Sequence, residues 1–215
     1  MVTSLCWNFE HKDLFAVGYG TYDFTRACSG STGVICCFSL KNPSSPEFVY
    51  NIDSGVMCLD FNSVHAPAML AVGLYDGSVL VYDLSKKDTK TGGCDKQPII
   101  KSDIKTKKHM DPVWQVRWHT EELSGALSFL SISTDGKMMQ WTLTTNELQV
   151  AVVMQFKLLL DDGIDADETQ LVGLAGATCF DFNKDSSNLF VVGTEEGDIY
   201  KCSTAYSTEC ACTCF

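Results

Sequence analysis

Cys210, Cys212 and Cys214 stand at alternate positions at the C-terminal end of the chain, and three thiolates so placed would hold a soft metal if a fourth ligand came close. Structural zinc sites use paired C-x2-C spacing instead, so the expectation is a loose terminal segment and no metal site. Asp161, Asp162, Asp165, Asp167 and Glu168 make an acidic run of the kind that attracts calcium. The run lacks the full ligand series and the closing Glu of an EF-hand loop, and it reads as a solvated loop. Gly18-Tyr19-Gly20 has the look of a phosphate loop, yet no helix pattern follows it and no G-x-x-x-x-G-K-[ST] motif occurs. It is better read as a wide turn. His11, His65, His109 and His119 are scattered, and no Ser or Cys stands in a nucleophile elbow beside an acid. Lys101, Lys105, Lys107 and Lys108 read as a solvated connection, with a docking patch as the alternative. No catalytic set and no cofactor motif emerges, and an enzyme is not expected.

The elements around these residues repeat. A short apolar strand ending in a small residue recurs as Leu14-Phe15-Ala16-Val17-Gly18, Met69-Leu70-Ala71-Val72-Gly73, Phe129-Leu130-Ser131-Ile132-Ser133 and Leu189-Phe190-Val191-Val192-Gly193. Each is preceded by an apolar i, i+3, i+5 pattern: Val2/Leu5/Trp7, Val56/Leu59/Phe61, Val113/Val116/Trp118 and Ala177/Phe180/Phe182. Three are followed by a turn ending in Gly, at Gly77, Gly136 and Gly197, where positive φ is tolerated. Five residues beyond Gly33 and beyond these three glycines come Phe38, Tyr82, Trp141 and Cys202, where WD repeats usually carry Trp. Fourth strands are weaker, at Glu47 to Ile52, around Ile99-Ile100 and from Leu148 to Phe156. A four-stranded unit of roughly 40–45 residues plus insertions is the signature of a WD40 blade. The expected fold is all-β, a WD40-type β-propeller with four four-stranded blades at about 1–53, 54–105, 109–157 and 175–207, and a divergent tail at 208–215. His109 falls where that repeat often has Gly-His.

Of the 215 residues 45% are hydrophobic and 20% charged, ample material for a core. A net charge of -11 disfavours nonspecific nucleic-acid binding, which relies on Lys and Arg against phosphates. No apolar run approaches the ~18–20 residues that span a bilayer, and Met1-Val2-Thr3-Ser4-Leu5 lacks the layout of a signal peptide. The expected setting is the cytoplasm. Cys6, Cys36, Cys37, Cys58, Cys179 and Cys202 fall in expected strands, which favours reduced structural thiols over a disulfide framework.

Longer words narrow the resemblance. Val2 to Asn8, Lys12 to Phe24, Ser39-Leu40-Lys41-Asn42-Pro43, Ser54 to Asp60, Asp111 to Val116, Val192 to Gly197 and Ile199 to Ser203 closely resemble the intermediate chains of axonemal outer-arm dynein. The resemblance covers nearly the whole chain to about Ser207. It implies a non-catalytic subunit that grips the dynein heavy chain, pairs with a second intermediate chain and reaches the microtubule axoneme of a cilium or flagellum through that complex. Members of the family carry a long region ahead of the propeller and further blades behind it. The resemblance therefore implies a chain truncated at both ends, without light-chain sites. A general cytoplasmic WD40 adaptor unrelated to motors is the alternative, and a propeller hydrolase is a third reading without a catalytic set.

Four blades of a larger ring should form an open arc with apolar end faces bare, and closure as a four-bladed ring is the other possibility. Partner contacts are expected on the turns, where rigid scaffolds present them. The candidates are Tyr19, Tyr22, Asp23 and Phe24 in the first wide turn, Tyr75 and Asp76 in the second hairpin, Asp111, Pro112 and Trp114 opening the third blade, and Glu195 and Glu196 at the last hairpin tip. Exposed aromatics are the natural hot spots. Turn geometry or blade packing is the plain alternative for each, and a core position the alternative for Trp114.

Overall fold

The computed structural model describes all residues except 22, 24–31, 64, 87–96, 104, 106, 121–125, 145–147, 158–172, 187 and 204–215, together with the side chain at 120. The chain is all-β, in four antiparallel sheets that do not close on themselves. The first sheet is β1 (Val2–Trp7), β2 (Leu14–Tyr19), β3 (Gly33–Ser39) and β4 (Phe48–Ile52); the second is β5 (Val56–Phe61), β6 (Met69–Leu74), β7 (Val79–Asp83) and the two-residue β8 (Ile100–Lys101). The third is β9 (Val113–Thr120), β10 (Leu127–Ser133), β11 (Lys137–Leu143) and β12 (Leu148–Gln155). The fourth shows three strands among the described residues, β13 (Ala177–Phe182), β14 (Leu189–Thr194) and β15 (Ile199–Ser203). Every sheet is a meander in chain order, and the arrangement is that of partial WD40 propeller blades.

Val, Ile, Leu and aromatic residues fill these strands because neighbouring sheets pack face to face, the second and third on both sides, and side chains alternate between the two faces. One apolar cluster joins Ala16, Ile35, Cys37 and Tyr50 of the first sheet to Leu59, Leu70, Val72 and Tyr82 of the second. The opposite face of the second sheet, with Cys58, Ala71 and Val81, packs on Val116, Phe129, Met139 and Trp141 of the third. Leu130, Ile132 and Met138, on the far face of the third, pack on Phe180, Phe190, Val192 and Tyr200 of the fourth. The first strands run side by side, β5 against β1 and β9 and β13 against β9, so they form the hub of an arc. The leading face of a sheet is thus the one on the side of the sheet before it, and the trailing face the one on the side of the next; in the second and third sheets both are packed.

Strand register corrects one expected equivalence. Phe38 stands opposite Phe15, Tyr82 opposite Leu70, Trp141 opposite Phe129 and Cys202 opposite Phe190. Counted from these pairs, the residue matching Gly18, Gly73 and Gly193 in the third sheet is Ile132, one place before the small residue Ser133. The turns agree, since Gly77, Gly136 and Gly197 donate their N–H to Leu74, Ser133 and Thr194 respectively. Packing supplies the reason. A Cβ on Gly73 would lie 2.7 Å from Cγ1 of Val113 on the next sheet. At the third joint the large residue, Ile132, is on the near side and the small one, Ala177, opens the next strand, so volume is conserved with the sizes exchanged.

The hairpins after β6, β10 and β14 are three-residue turns in which only the final glycine is left-handed, with φ of +80° at Gly77, +70° at Gly136 and +101° at Gly197. Gly77 also lies against the His109 carbonyl of the next sheet, whereas a Cβ on Gly197 would meet nothing within 4 Å. Gly77→Ala should therefore lose more stability than Gly197→Ala. The left-handed strain of about 1–2 kcal/mol is common to both, and the backbone collision is peculiar to the first. Urea titration of the two variants measures this, and equal losses would show that the hairpin does not seat on the neighbouring sheet as described.

Candidate protein-interaction face

Alternate connections of an antiparallel meander emerge at the same end of the sheet. The β2–β3, β6–β7, β10–β11 and β14–β15 turns and the crossings between sheets therefore share one face of the arc. Tyr19, Asp23, Tyr75, Asp76, Asp111, Pro112, Glu195 and Glu196 all belong to it; Tyr22 and Phe24 lie outside the described residues. Part of the set forms a continuous strip. The Tyr75 N–H donates to the Gly55 carbonyl at 2.9 Å, and Gly55 in turn abuts Thr21 and Tyr75. The Asp76 N–H donates to Ser54 Oγ at 3.2 Å, and its carboxylate accepts from the N–H and hydroxyl of Ser78 at 3.1 and 2.9 Å. Lys108 Nζ donates to the Asp76 carbonyl at 2.9 Å, with the carboxylate 3.7 Å away. This lysine of the sequence cluster is therefore engaged with its neighbour hairpin, while Lys105 and Lys107 are exposed.

Glu195 and Glu196 stand apart from that strip. They are exposed, and they fasten their own hairpin to the start of β13 through Glu195 N–H to the Gly176 carbonyl at 2.8 Å and Gly176 N–H to Glu196 Oε1 at 3.3 Å. Trp114 is half-buried in a different place. It lines a hub groove of about 510 Å³ with Thr3, Leu5, Met57 and Gln115. Sequence reading missed Met110, which is 80% exposed in the middle of the turn face beside Asp111 and Pro112. Its N–H donates to Asp135 Oδ2 at 3.1 Å, so this exposed apolar side chain is rigidly mounted. No periodic signal marks it, because its position depends on the hairpin of the same sheet.

The sequence shows no serine in a nucleophile elbow, and the structure nevertheless brings a buried serine to a histidine and an acid. His109 Nε2 lies 2.7 Å from Ser131 Oγ, and Nδ1 lies 3.2 and 3.1 Å from the two oxygens of Asp135. The order Ser-His-Asp is that of a hydrolase triad. Here Trp141 Nε1 donates to Ser131 Oγ at 2.7 Å, and His109, Ser131 and Trp141 have no solvent exposure. A substrate carbonyl has no approach, and the chain of hydrogen bonds ties the start of β9 to β10 and β11. Among the described residues the third sheet alone has it, since the positions of Ser131 and Trp141 are Val72 and Tyr82 in the second sheet and Val192 and Cys202 in the fourth. Burial pulls the Asp135 carboxyl upward, but His109 together with the backbone N–H groups of Met110 and Lys137 outweighs it and holds the group below the usual carboxylate range.

Asp60 is the opposite case. Burial pushes it up to about 6, against the Trp118 N–H and the Arg117 guanidinium that favour the charged form. Its Oδ2 accepts from Trp118 N–H at 2.9 Å and its carbonyl from Trp118 Nε1 at 3.0 Å, so it bolts β5 to β9. Arg117 is 3.8 Å away and half exposed. Cys6, close by, has its thiol pushed up to about 12, chiefly by burial, and is therefore unreactive at neutral pH. Cys36, Cys37, Cys58, Cys179 and Cys202 are also free thiols lying in strands, with Cys179 exposed. The acidic run 161–168 and the Cys210/Cys212/Cys214 tail lie outside the described residues. Among the described residues no helix is long and apolar enough to cross a membrane.

No protein-family model matches the chain. Among curated proteins it is 48% identical over 208 residues to ciliary dynein intermediate chain 2 of Heliocidaris crassispina, covering 97% of this chain and 28% of that protein. It is 43% identical over 210 residues to dynein axonemal intermediate chain 1 of Bos taurus, with the same coverage. It is 43% identical over 212 residues to the 78 kDa intermediate chain of flagellar outer arm dynein of Chlamydomonas reinhardtii, covering 97% of this chain and 29% of that one. The chain thus spans less than a third of the length of these relatives.

Two predictions follow from the buried polar groups. Ser131→Ala, which leaves the Trp141 N–H without its acceptor, should cost about 1–3 kcal/mol of stability, and a fluorophosphonate probe should leave Ser131 of the native chain unlabelled; labelling would make the triad accessible. For Asp60, a carboxyl raised by folding is least costly when protonated, so its penalty appears as pH rises through about 6. Asp60→Asn, which keeps an acceptor for Trp118, should raise stability by roughly 1–3 kcal/mol at pH 8 and leave it unchanged at pH 4. Denaturation at the two pH values checks this, and a gain of the same size at both would refute it.

Proposed function

This chain is a homologue of the axonemal dynein intermediate chains, and we propose that it serves as a non-catalytic scaffold segment within an outer-arm dynein of a cilium or flagellum. In this reading it binds the dynein heavy chain and a second intermediate chain, and it meets the axoneme through that complex. The observation that carries the proposal is the identity of 43–48% along 97% of the chain to three intermediate chains, one of them named for the flagellar outer arm.

The turn face suits such a role physically. Its contact residues are mounted at the ends of hydrogen-bonded strands in packed sheets, so little conformational entropy is lost when a partner docks. Tyr19 and Tyr75 offer half-buried aromatic surface, Met110 an adaptable apolar one, and Asp76, Asp111, Glu195 and Glu196 an acidic surround. An acidic surround fits a partner surface with basic residues, in keeping with the net charge of -11.

A tagged version of the chain, expressed in ciliated cells and recovered with its bound proteins, should bring down outer-arm heavy chain and the second intermediate chain as identified by mass spectrometry. Met110→Asp combined with Tyr75→Ala should reduce that recovery about tenfold or more while leaving the fold intact by circular dichroism. Recovery of a set of partners without any dynein subunit would favour the general WD40 adaptor instead.

A further inference from the structure

The seam between the first and second sheets holds a cavity of about 280 Å³ that runs from the turn face, at Asp53 and Asp76, inward to Ile52, Leu80 and Tyr82. Tyr82 is 3% exposed, and its ring packs on that of Tyr50 with centroids 4.4 Å apart, so the phenol is held in place. Its hydroxyl makes no hydrogen bond among the described residues and is open to the cavity rather than sealed in the core. A buried tyrosine ordinarily finds a partner, as Tyr200 does when its hydroxyl donates to the Lys157 carbonyl at 2.9 Å. Register explains the exception. Tyr82 occupies the place of Trp141, whose indole N–H donates to Ser131, but the place of Ser131 is Val72 in the second sheet, which offers no acceptor.

Charge around the cavity is mostly negative. Asp53 lies on the first-sheet wall, exposed, and its side chain makes no hydrogen bond or ion pair among the described residues. Its charge nevertheless reaches Tyr82, since burial first and Asp53 second push the phenol up to about 12. Tyr82 is therefore a neutral hydroxyl near pH 7, with lone pairs to accept a donor. Asp76 adds a second carboxylate on the turn side, where Ser78 and Lys108 already hold it. Lys101, exposed on β8, is the one ammonium among the lining residues. Between the charges the walls are apolar, at Ile52, Leu74 and Leu80. Such a cavity suits an aliphatic stem that ends in a cation. A guanidinium, with five N–H donors in one plane and weak hydration, can serve the Asp53 carboxylate and the Tyr82 hydroxyl together, whereas an ammonium is a compact, strongly hydrated point charge.

We propose, resting on the reading of the turn face as a partner surface, that this cavity receives an arginine side chain of a partner protein, whose guanidinium donates to Asp53 and to the Tyr82 hydroxyl. The test uses the 215-residue chain with its tyrosine rings labelled with carbon-13, the Tyr82 resonance being identified by its loss in Tyr82→Phe. N-acetyl-arginine amide should shift that resonance saturably with a Kd on the order of 1 mM, and the uncharged isostere N-acetyl-citrulline amide should not. Asp53→Asn should weaken binding about tenfold and Tyr82→Phe about threefold, the latter read at the neighbouring Tyr50 ring. Neither substitution should lower the melting temperature, because neither removes a hydrogen bond of the folded chain. Failure of the arginine probe to shift Tyr82, an equal response to citrulline, a response to acetate in place of arginine, or binding indifferent to both substitutions would each overturn the proposal. A positive titration with no dynein subunit in the recovered complex would remove the proposed function and leave the arginine site standing. A negative titration with dynein subunits recovered would do the reverse.

Discussion

The second and third sheets of this chain are apolar on both faces, and that constraint governs the rest. A sheet with one apolar face can float one side in water; a sheet with two must be sandwiched. The three apolar clusters of the molecule are therefore the seams between consecutive sheets, and every strand is chosen for two neighbours at once. The exchange of Gly73 facing Val113 for Ile132 followed by Ala177 shows how closely the two sides of a seam are matched. At the second and third sheets, where both faces are occupied, the turns are the surface left exposed.

Polar chemistry in the interior serves the seams. Asp60, Ser4 and Gln115 accept backbone N–H groups that point out of a first strand toward the preceding sheet, groups that would otherwise be buried without a partner. The His109, Ser131, Asp135 and Trp141 chain does the equivalent job within the third sheet. Its resemblance to a hydrolytic triad is instructive. The same three hydrogen-bonding groups make a nucleophile where a cleft opens on the serine and a clamp where a tryptophan and complete burial close it.

Much of the architecture was legible in the residues. The recurring apolar strands, the turn glycines and the positions of Phe38, Tyr82, Trp141 and Cys202 located the strands and their order, because these features are local and periodic. The slip between Ser133 and Ile132 was not legible, since a small residue at a strand end looks the same whether it serves a turn or a seam, and only the facing residue Ala177 distinguishes them. Ser131 and Asp135 could not be tied to His109 for a similar reason: the three come from a crossing, a strand and a hairpin. Of the turn candidates, those among the described residues sit at strand connections except Trp114, which lines the hub groove, and Met110 was overlooked, because exposure at a turn depends on which neighbouring hairpin leans on it.

The strictly sequential order of strands within every sheet has a consequence for how the chain is made. Each meander pairs only with segments that emerged shortly before it, so a sheet can form its hydrogen bonds while the next is still inside the ribosome. What it cannot do at that stage is hide its trailing face, which waits for roughly one more repeat of synthesis. Translation speed therefore sets how long each seam stands open, and the aliphatic trailing faces are, during those seconds, the surfaces on which chaperones and nascent neighbours compete.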